Sequence, residues 1–235
     1  MYATWIIFQP LFTLLAYPFT FLPKKMRYDN RLYFFITKYM ATMVIRPSFL
    51  TITIHGQENL PAYPEQPSVF IANHTSAFDI PLFDMLLGCY PHVWMSKELY
   101  GKIPFFGRLV RIMHVVVQRN NPRKALQALI QAIERVQGHA RHLLIFPEGT
   151  RHADGKLHEF HQGFAIAAER LQRPVVPIAV SGFHKAFPKG SLICQSVGNP
   201  ITIRIGKPFT INPGESRQEF TQRVHAWYQQ VLRLQ

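Results

Sequence analysis

The chain has 235 residues, 48% of them hydrophobic and 17% charged, which suits one sizeable globular domain and excludes general disorder. Lys and Arg number 26 against 13 Asp and Glu, a net charge of +13, so the surface favours an anionic partner: nucleic acid, anionic lipid, or an acidic carrier or cofactor. The 2 cysteines, Cys89 and Cys194, offer no Cys-x-x-Cys spacing, which excludes a disulfide framework and makes a cytosol-facing location the simpler reading.

Met1 to Pro23 carries no charged side chain. A spanning helix needs about twenty apolar residues, and this segment reaches that length only by running through Pro10 and Pro18. Its basic residues follow the apolar run, which does not fit a secretory signal. A second apolar stretch, Leu32 to Ile45, contains Lys38 and is flanked by Arg31 and Arg46. Together they predict a helical hairpin that lies on or dips into a bilayer. Trp5 and several Tyr would sit at headgroup level, with Lys24, Lys25 and Arg27 facing anionic lipid. The alternative is that both helices simply pack on the core. Whether the first segment crosses the bilayer is open at this stage. Many of the 19 Phe and 9 Tyr lie before Leu50, and basic plus apolar points to a membrane surface, not a nucleic-acid groove.

After Pro47 the pattern changes. Thr51 to Gly56 alternates into a turn, Leu60 to Pro67 is a proline-rich loop, and Ser68 to Ala72 is a short apolar run of buried-strand type. Ala77 to Leu87 is helical in pattern, and His92 to Met95 and Ile112 to Val117 are strand candidates. Asn121-Pro122 starts a helix with a capping side chain and a proline at the first helical position. Leu126, Leu129, Ile130, Ile133 and Val136 then recur at helical spacing. His142 to Phe146 predicts a strand, Phe160 to Leu171 a helix, Pro174 to Val180 a strand, and Ile201 to Gly206 an alternating strand. A last amphipathic helix puts Phe220, Val224, Trp227, Val231 and Leu234 on one stripe. The expected architecture is α/β, a mixed but mostly parallel sheet flanked by helices over residues 49–235. The membrane-associated hairpin occupies residues 1–48.

Two segments carry chemistry. In Asn73-His74-Thr75-Ser76-Ala77-Phe78-Asp79, the histidine follows a strand end and the aspartate lies in the first turn of a helix. The turn can fold the imidazole back so that Asp79 accepts from one ring nitrogen and leaves the other to take a proton. Ser76 to Asp79 also matches a capping box, so Asp79 can serve only the helix start. In Phe146-Pro147-Glu148-Gly149-Thr150-Arg151, Gly149 permits close backbone approach, Thr150 offers a hydroxyl, and Arg151 can hold a phosphate through two parallel bonds. Glu148 can accept from a substrate hydroxyl or hold the loop in shape. His152, His158 and His161 lie nearby, but their spacing matches no standard metal site, and no metal is expected.

As a set, the two segments resemble the glycerolipid acyltransferase family, and above all its 1-acylglycerol-3-phosphate acyltransferases. Ser96-Lys97-Glu98-Leu99, Ile103 to Gly107 and Gln118-Arg119 resemble that family's second block, and Val175 to Ile178 its fourth. The resemblance covers residues 50–210. It implies acyl transfer from a thioester to a lysolipid hydroxyl, giving phosphatidic acid at a membrane, on the cytoplasmic face. It implies that His74 is the general base and Asp79 its orienter. Arg151, with Lys97 and Arg119, would hold the acceptor's phosphate. No permanently bound cofactor is implied; acyl-coenzyme A or acyl-carrier protein is the donor substrate, and the net charge suits either. One departure stands out: many relatives carry a basic pair where this chain has His161-Gln162 before Gly163. A backbone N–H near the site should stabilise the oxyanion. There is no Gly-x-Ser-x-Gly elbow for a serine hydrolase, and no covalent acyl-enzyme is required. The rival readings are acyl transfer to another lysophospholipid and, behind it, a thioesterase or hydrolase, or a lipid-binding module without activity.

Overall fold

A computed structural model describes residues 2–46, 51–62, 65–76, 78–118, 121–152, 154–186 and 200–233, with side chains from Gln9 onward. Among the described residues seven strands form a sheet in the order β1-β7-β6-β2-β5-β3-β4. They are β1 (Ile52–His55), β2 (Val69–Ala72), β3 (His92–Lys97), β4 (Val115–Val117), β5 (His142–Ile145), β6 (Val175–Ser181) and β7 (Ile201–Ile205). β1 with β7, β2 with β6 and β3 with β4 pair in parallel, and β6 with β7 antiparallel. The chain divides by contacts into two compact units.

The first unit joins Met1–Ser48 to Ile80–Leu143. It holds α1 (Tyr2–Ala16), α2 (Lys24–Tyr28), α3 (Arg31–Ile45), α4 (Asp79–Leu87, from Ile80), α5 (Glu98–Gly101), α6 (Phe106–Met113) and α7 (Pro122–Val136). α1 and α3 pack together. Asn30 caps α3 by accepting from Tyr33 N at 3.1 Å, and Asn121 caps α7 by accepting from Lys124 N at 3.1 Å ahead of Pro122. α3 is apolar on two sides. Tyr33, Phe34, Met40, Ala41, Val44 and Ile45 are buried, with Tyr33 and Phe34 against Ala16, Leu109 and Met113. Leu32, Phe35 and Tyr39 face outward, as do Leu11, Leu14 and Leu15 of α1. No helix among the described residues is long and apolar enough to cross a membrane.

One expectation needs correction here. Ile112 and Met113 end helix α6, and the strand begins only at Val115. Leu109, Val110 and Met113 are buried at helical spacing, so the apolar run serves two elements that meet at His114.

The second unit joins Phe49–Asp79 to Leu144–Gln235, with α8 (Gly163–Leu171), α9 (Phe183–Ala186) and α10 (Arg217–Arg233). α8 begins at Gly163, later than Phe160. Every residue of β2 is buried, as expected of a central strand. Ile71 of β2 lies opposite Pro177 of β6. Proline cannot donate to the ladder. Beside it the hydroxyl of Tyr228, from α10, carries the pairing: it accepts from Ile178 N at 3.0 Å and donates to Ile71 O at 2.7 Å. A buried backbone group left without such a partner costs about 1–3 kcal/mol. The inward stripe of α10 therefore runs Phe220, Thr221, Val224 and Tyr228; Trp227 and Val231 are only partly covered and Leu234 lies outside the described residues. Gly206 gives α10 room, since a Cβ there would fall 2.5 Å from the Trp227 ring and 2.8 Å from Pro177.

Candidate active site

β2 ends at Ala72, and the next side chain extends the sheet by one rung. Asn73 Nδ2 donates to Val180 O at 2.8 Å while its Oδ1 accepts from Val180 N at 2.8 Å. That fixes where His74 leaves the strand. The His74 ring stacks on Phe146, with centroids 4.2 Å apart and planes at 24°. Its Nδ1 lies 2.7 Å from Asp79 Oδ2. A carboxylate only accepts, so in the neutral ring Nδ1 carries the proton and the lone pair lies on Nε2.

Asp79 is fully buried, and the same Oδ2 also accepts from Thr75 N at 2.8 Å and Ser76 N at 2.9 Å. Ser76 Oγ in turn accepts from Phe78 N at 3.2 Å. The helix-start role and the imidazole-orienting role, which read as alternatives in the sequence, fall on one oxygen. Asp79 Oδ1 has no hydrogen-bond partner among the described residues.

Glu148 is buried and joins two loops. Oε1 accepts from His74 N at 2.8 Å and Oε2 from His158 N at 3.3 Å. Burial pushes its carboxyl up to about 7; the amides of His74 and His158 pull the other way, and the charge of Asp79 adds to the rise. A carboxyl raised in this way stabilises the fold fully below the unfolded value of ~4.3, and the stabilisation is lost as pH rises through the folded value. Urea unfolding should show it. Between pH 4 and pH 8 the protein should lose of order 3 kcal/mol that Glu148→Gln does not lose. Identical pH slopes for the two proteins would remove the buried carboxyl from this account.

Gly149 has φ +69, which favours glycine, and a Cβ there would come 3.1 Å from the His161 ring. His161 N also donates to Pro147 O at 2.9 Å, so this histidine packs on the loop. Thr150 is exposed and Arg151 half-buried, and Arg151 makes no ion pair or hydrogen bond among the described residues. Lys97 closes β3 in the first unit, and Arg119 lies outside the described residues. His158 binds Asp154 through Nε2 at 3.0 Å, and its ring stacks on that of His152. Among the described residues no three His, Cys, Asp or Glu side chains gather as a metal-binding group.

A second buried pair shows what distinguishes the first. In the first unit His92 Nε2 lies 2.8 Å from Asp84 Oδ1, and its Nδ1 lies 2.9 Å from Tyr90 O. Both nitrogens face acceptors, so the ring is held at both ends within the fold. The His74 ring differs in being held through Nδ1 by one fully buried carboxylate at a strand end. Sequence reasoning missed Asn73 and Phe146 as members of this site. Their adjacency to His74 and Glu148 was the only signal, because their partners lie far along the chain.

The model of the acyltransferase family matches residues 51–181, more than half of the chain. A chloroplastic 1-acyl-sn-glycerol-3-phosphate acyltransferase of Brassica napus is 36% identical over 70% of this chain and 47% of its own. One from Arabidopsis thaliana is 35% identical over 77% of this chain and 49% of its own. The chain thus spans about half the length of these curated relatives. The crystal structure of the 1-acyl-sn-glycerophosphate (LPA) acyltransferase PlsC from Thermotoga maritima superposes with a TM-score of 0.71 at 25% identity, covering 99% of this chain and 90% of that one. The matched span contains His74, Asp79 and Arg151, and the chain belongs to the acyltransferase family.

Proposed function

We propose that this protein transfers a fatty acyl chain from an acyl thioester to the free hydroxyl of 1-acylglycerol-3-phosphate, giving phosphatidic acid. The observation that carries the reading is the oriented imidazole: Nδ1 held by Asp79, with the ring set against Phe146 at a strand end. Nε2 takes the acceptor hydroxyl's proton as its oxygen attacks the thioester carbonyl, and the tetrahedral oxyanion forms. Collapse breaks the carbon–sulfur bond, and the departing thiolate takes the proton from the imidazolium. Arg151 supplies a planar cation for the acceptor's phosphate, and Gly149 and Thr150 shape the loop beside it. Lys97 and Arg119 add positive charge to the same substrate. Glu148 acts through the His74 backbone, holding the base in register, instead of touching substrate.

The donor is acyl-coenzyme A or acyl-carrier protein, both acidic and both suited to a net charge of +13. Residues 1–48 meet an anionic membrane surface from its cytoplasmic side. Outward-facing Leu11, Leu14, Leu15, Leu32, Phe35 and Tyr39 support this, together with Lys24, Lys25 and Arg27. The test is thiol release from an acyl thioester with and without lysophosphatidic acid, run with both donors and a panel of lysolipid acceptors. Release that requires lysophosphatidic acid is expected. Release without any acceptor would make the protein a thioesterase, and none at all a binding module.

A further inference from the structure

α5 and α6 are joined by a turn that exposes a residue of strained backbone. Phe105 has φ +58 and ψ −57, and Phe106 N donates to Pro104 O at 2.6 Å, closing a γ-turn with a positive φ. Only glycine adopts that backbone cheaply, and a bulky side chain there needs a compensating reason. Burial supplies none, because Phe105 is 66% exposed. Its ring instead meets the edge of Tyr17 at 5.6 Å, and Tyr17 meets Phe21 at 5.6 Å. Phe21 is itself 69% exposed. The Arg108 guanidinium lies 5.3 Å over the Phe21 ring, and its Nε donates to Thr20 Oγ1 at 3.2 Å. Two distant segments of the first unit thus build one outward row of aromatic rings edged by a cation. Leu99, on α5, is also largely exposed.

The sequence that carries this row is strongly basic. Met1 to Tyr28 contains no Asp or Glu but has Lys24, Lys25 and Arg27. Leu99 to Ile133 contains none either and has Lys102, Arg108, Arg111, Arg123 and Lys124, although Glu98, just before it, pairs with Lys102 at 3.2 Å. Aromatic rings with cations beside them match the headgroup–acyl boundary of an anionic bilayer, where the rings enter the boundary and the cations meet phosphate. We propose that the α5–α6 turn, led by Phe105, is a second membrane-inserting element beside the N-terminal helices, and that its strained backbone keeps the ring pointed outward for that purpose. This rests on the membrane reading of residues 1–48.

The test uses the full chain and vesicles of phosphatidylcholine with phosphatidylglycerol, reading co-sedimentation and thermal midpoint for the protein, Phe105→Gly and Phe21→Asp. Phe105→Gly removes the inserting ring and relieves the positive φ. Vesicle affinity should fall roughly tenfold or more while the thermal midpoint holds or rises. A merely structural role predicts a lower midpoint instead, and that result would overturn the proposal. Unchanged binding by Phe105→Gly would also overturn it. If Phe21→Asp then still loses binding, the membrane reading of the N-terminal segment survives without the second element. If the unaltered protein does not bind the vesicles, both fail.

Discussion

Replacing His74 with alanine is expected to lower kcat for acyl transfer roughly 10²–10⁴-fold, the loss of a general base, with little change in the KM for lysophosphatidic acid. The geometry predicts a folded variant. Asp79 Oδ2 loses one donor of three and keeps Thr75 N and Ser76 N, so the start of α4 stays held. Glu148 still accepts the backbone N–H of residue 74, so the loop keeps its register. What disappears is the ring and its stack on Phe146. Acceptor-dependent thiol release by purified His74→Ala, alongside its unfolding curve, measures both halves. Near-normal turnover in a folded variant would rule out His74 as the base.

The sheet was largely legible because its central strands are written locally. Val69 to Ala72, His142 to Ile145 and Val175 to Val180 are short apolar runs rich in branched residues, which buried strands require. The start of α7 was legible for an equally local reason, Asn121 before Pro122. The Ile112 to Val117 run misled because apolar content alone does not separate a helix end from a strand start; the break at His114 is set by packing of Leu109 and Met113 against Ala16, Tyr33 and Phe34. The stripe of Phe220, Val224, Trp227 and Val231 puts Trp227 inward, whereas Tyr228 is the buried position. Only the pairing of Ile71 with Pro177 shows where that hydroxyl goes.

The site divides along the same line. His74, Asp79, Glu148, Gly149 and Arg151 were visible as two runs of functional residue types. The contacts between the runs were not visible. The amide of His74 on Glu148 and the ring of His74 on Phe146 both join segments far apart in sequence. Nor does the sequence show that residues 1–48 share a contact unit with Ile80–Leu143, since that depends on which helix faces meet.

The double duty of Asp79 makes a sharper test than its deletion. Asp79→Ala leaves the Nδ1–H of His74 and the amides of Thr75 and Ser76 without their acceptor, at about 1–3 kcal/mol each when buried. Inactivity in that variant would say little about chemistry. Asp79→Asn separates the roles. Three donors converge on the Oδ2 position, so they select the orientation that places the amide oxygen there. The NH2 then takes the place of Oδ1, which has no partner among the described residues. The helix start and the imidazole tautomer are kept, and what is lost is the negative charge that stabilises the imidazolium formed as the acceptor hydroxyl is deprotonated. The expected result is a folded protein whose kcat falls about 10²-fold or more, with the KM for lysophosphatidic acid nearly unchanged. If Asp79 merely holds the helix, Asn retains most of the activity. A kcat within a few-fold of the unaltered protein would assign the carboxylate to the fold alone and leave His74 without its electrostatic partner.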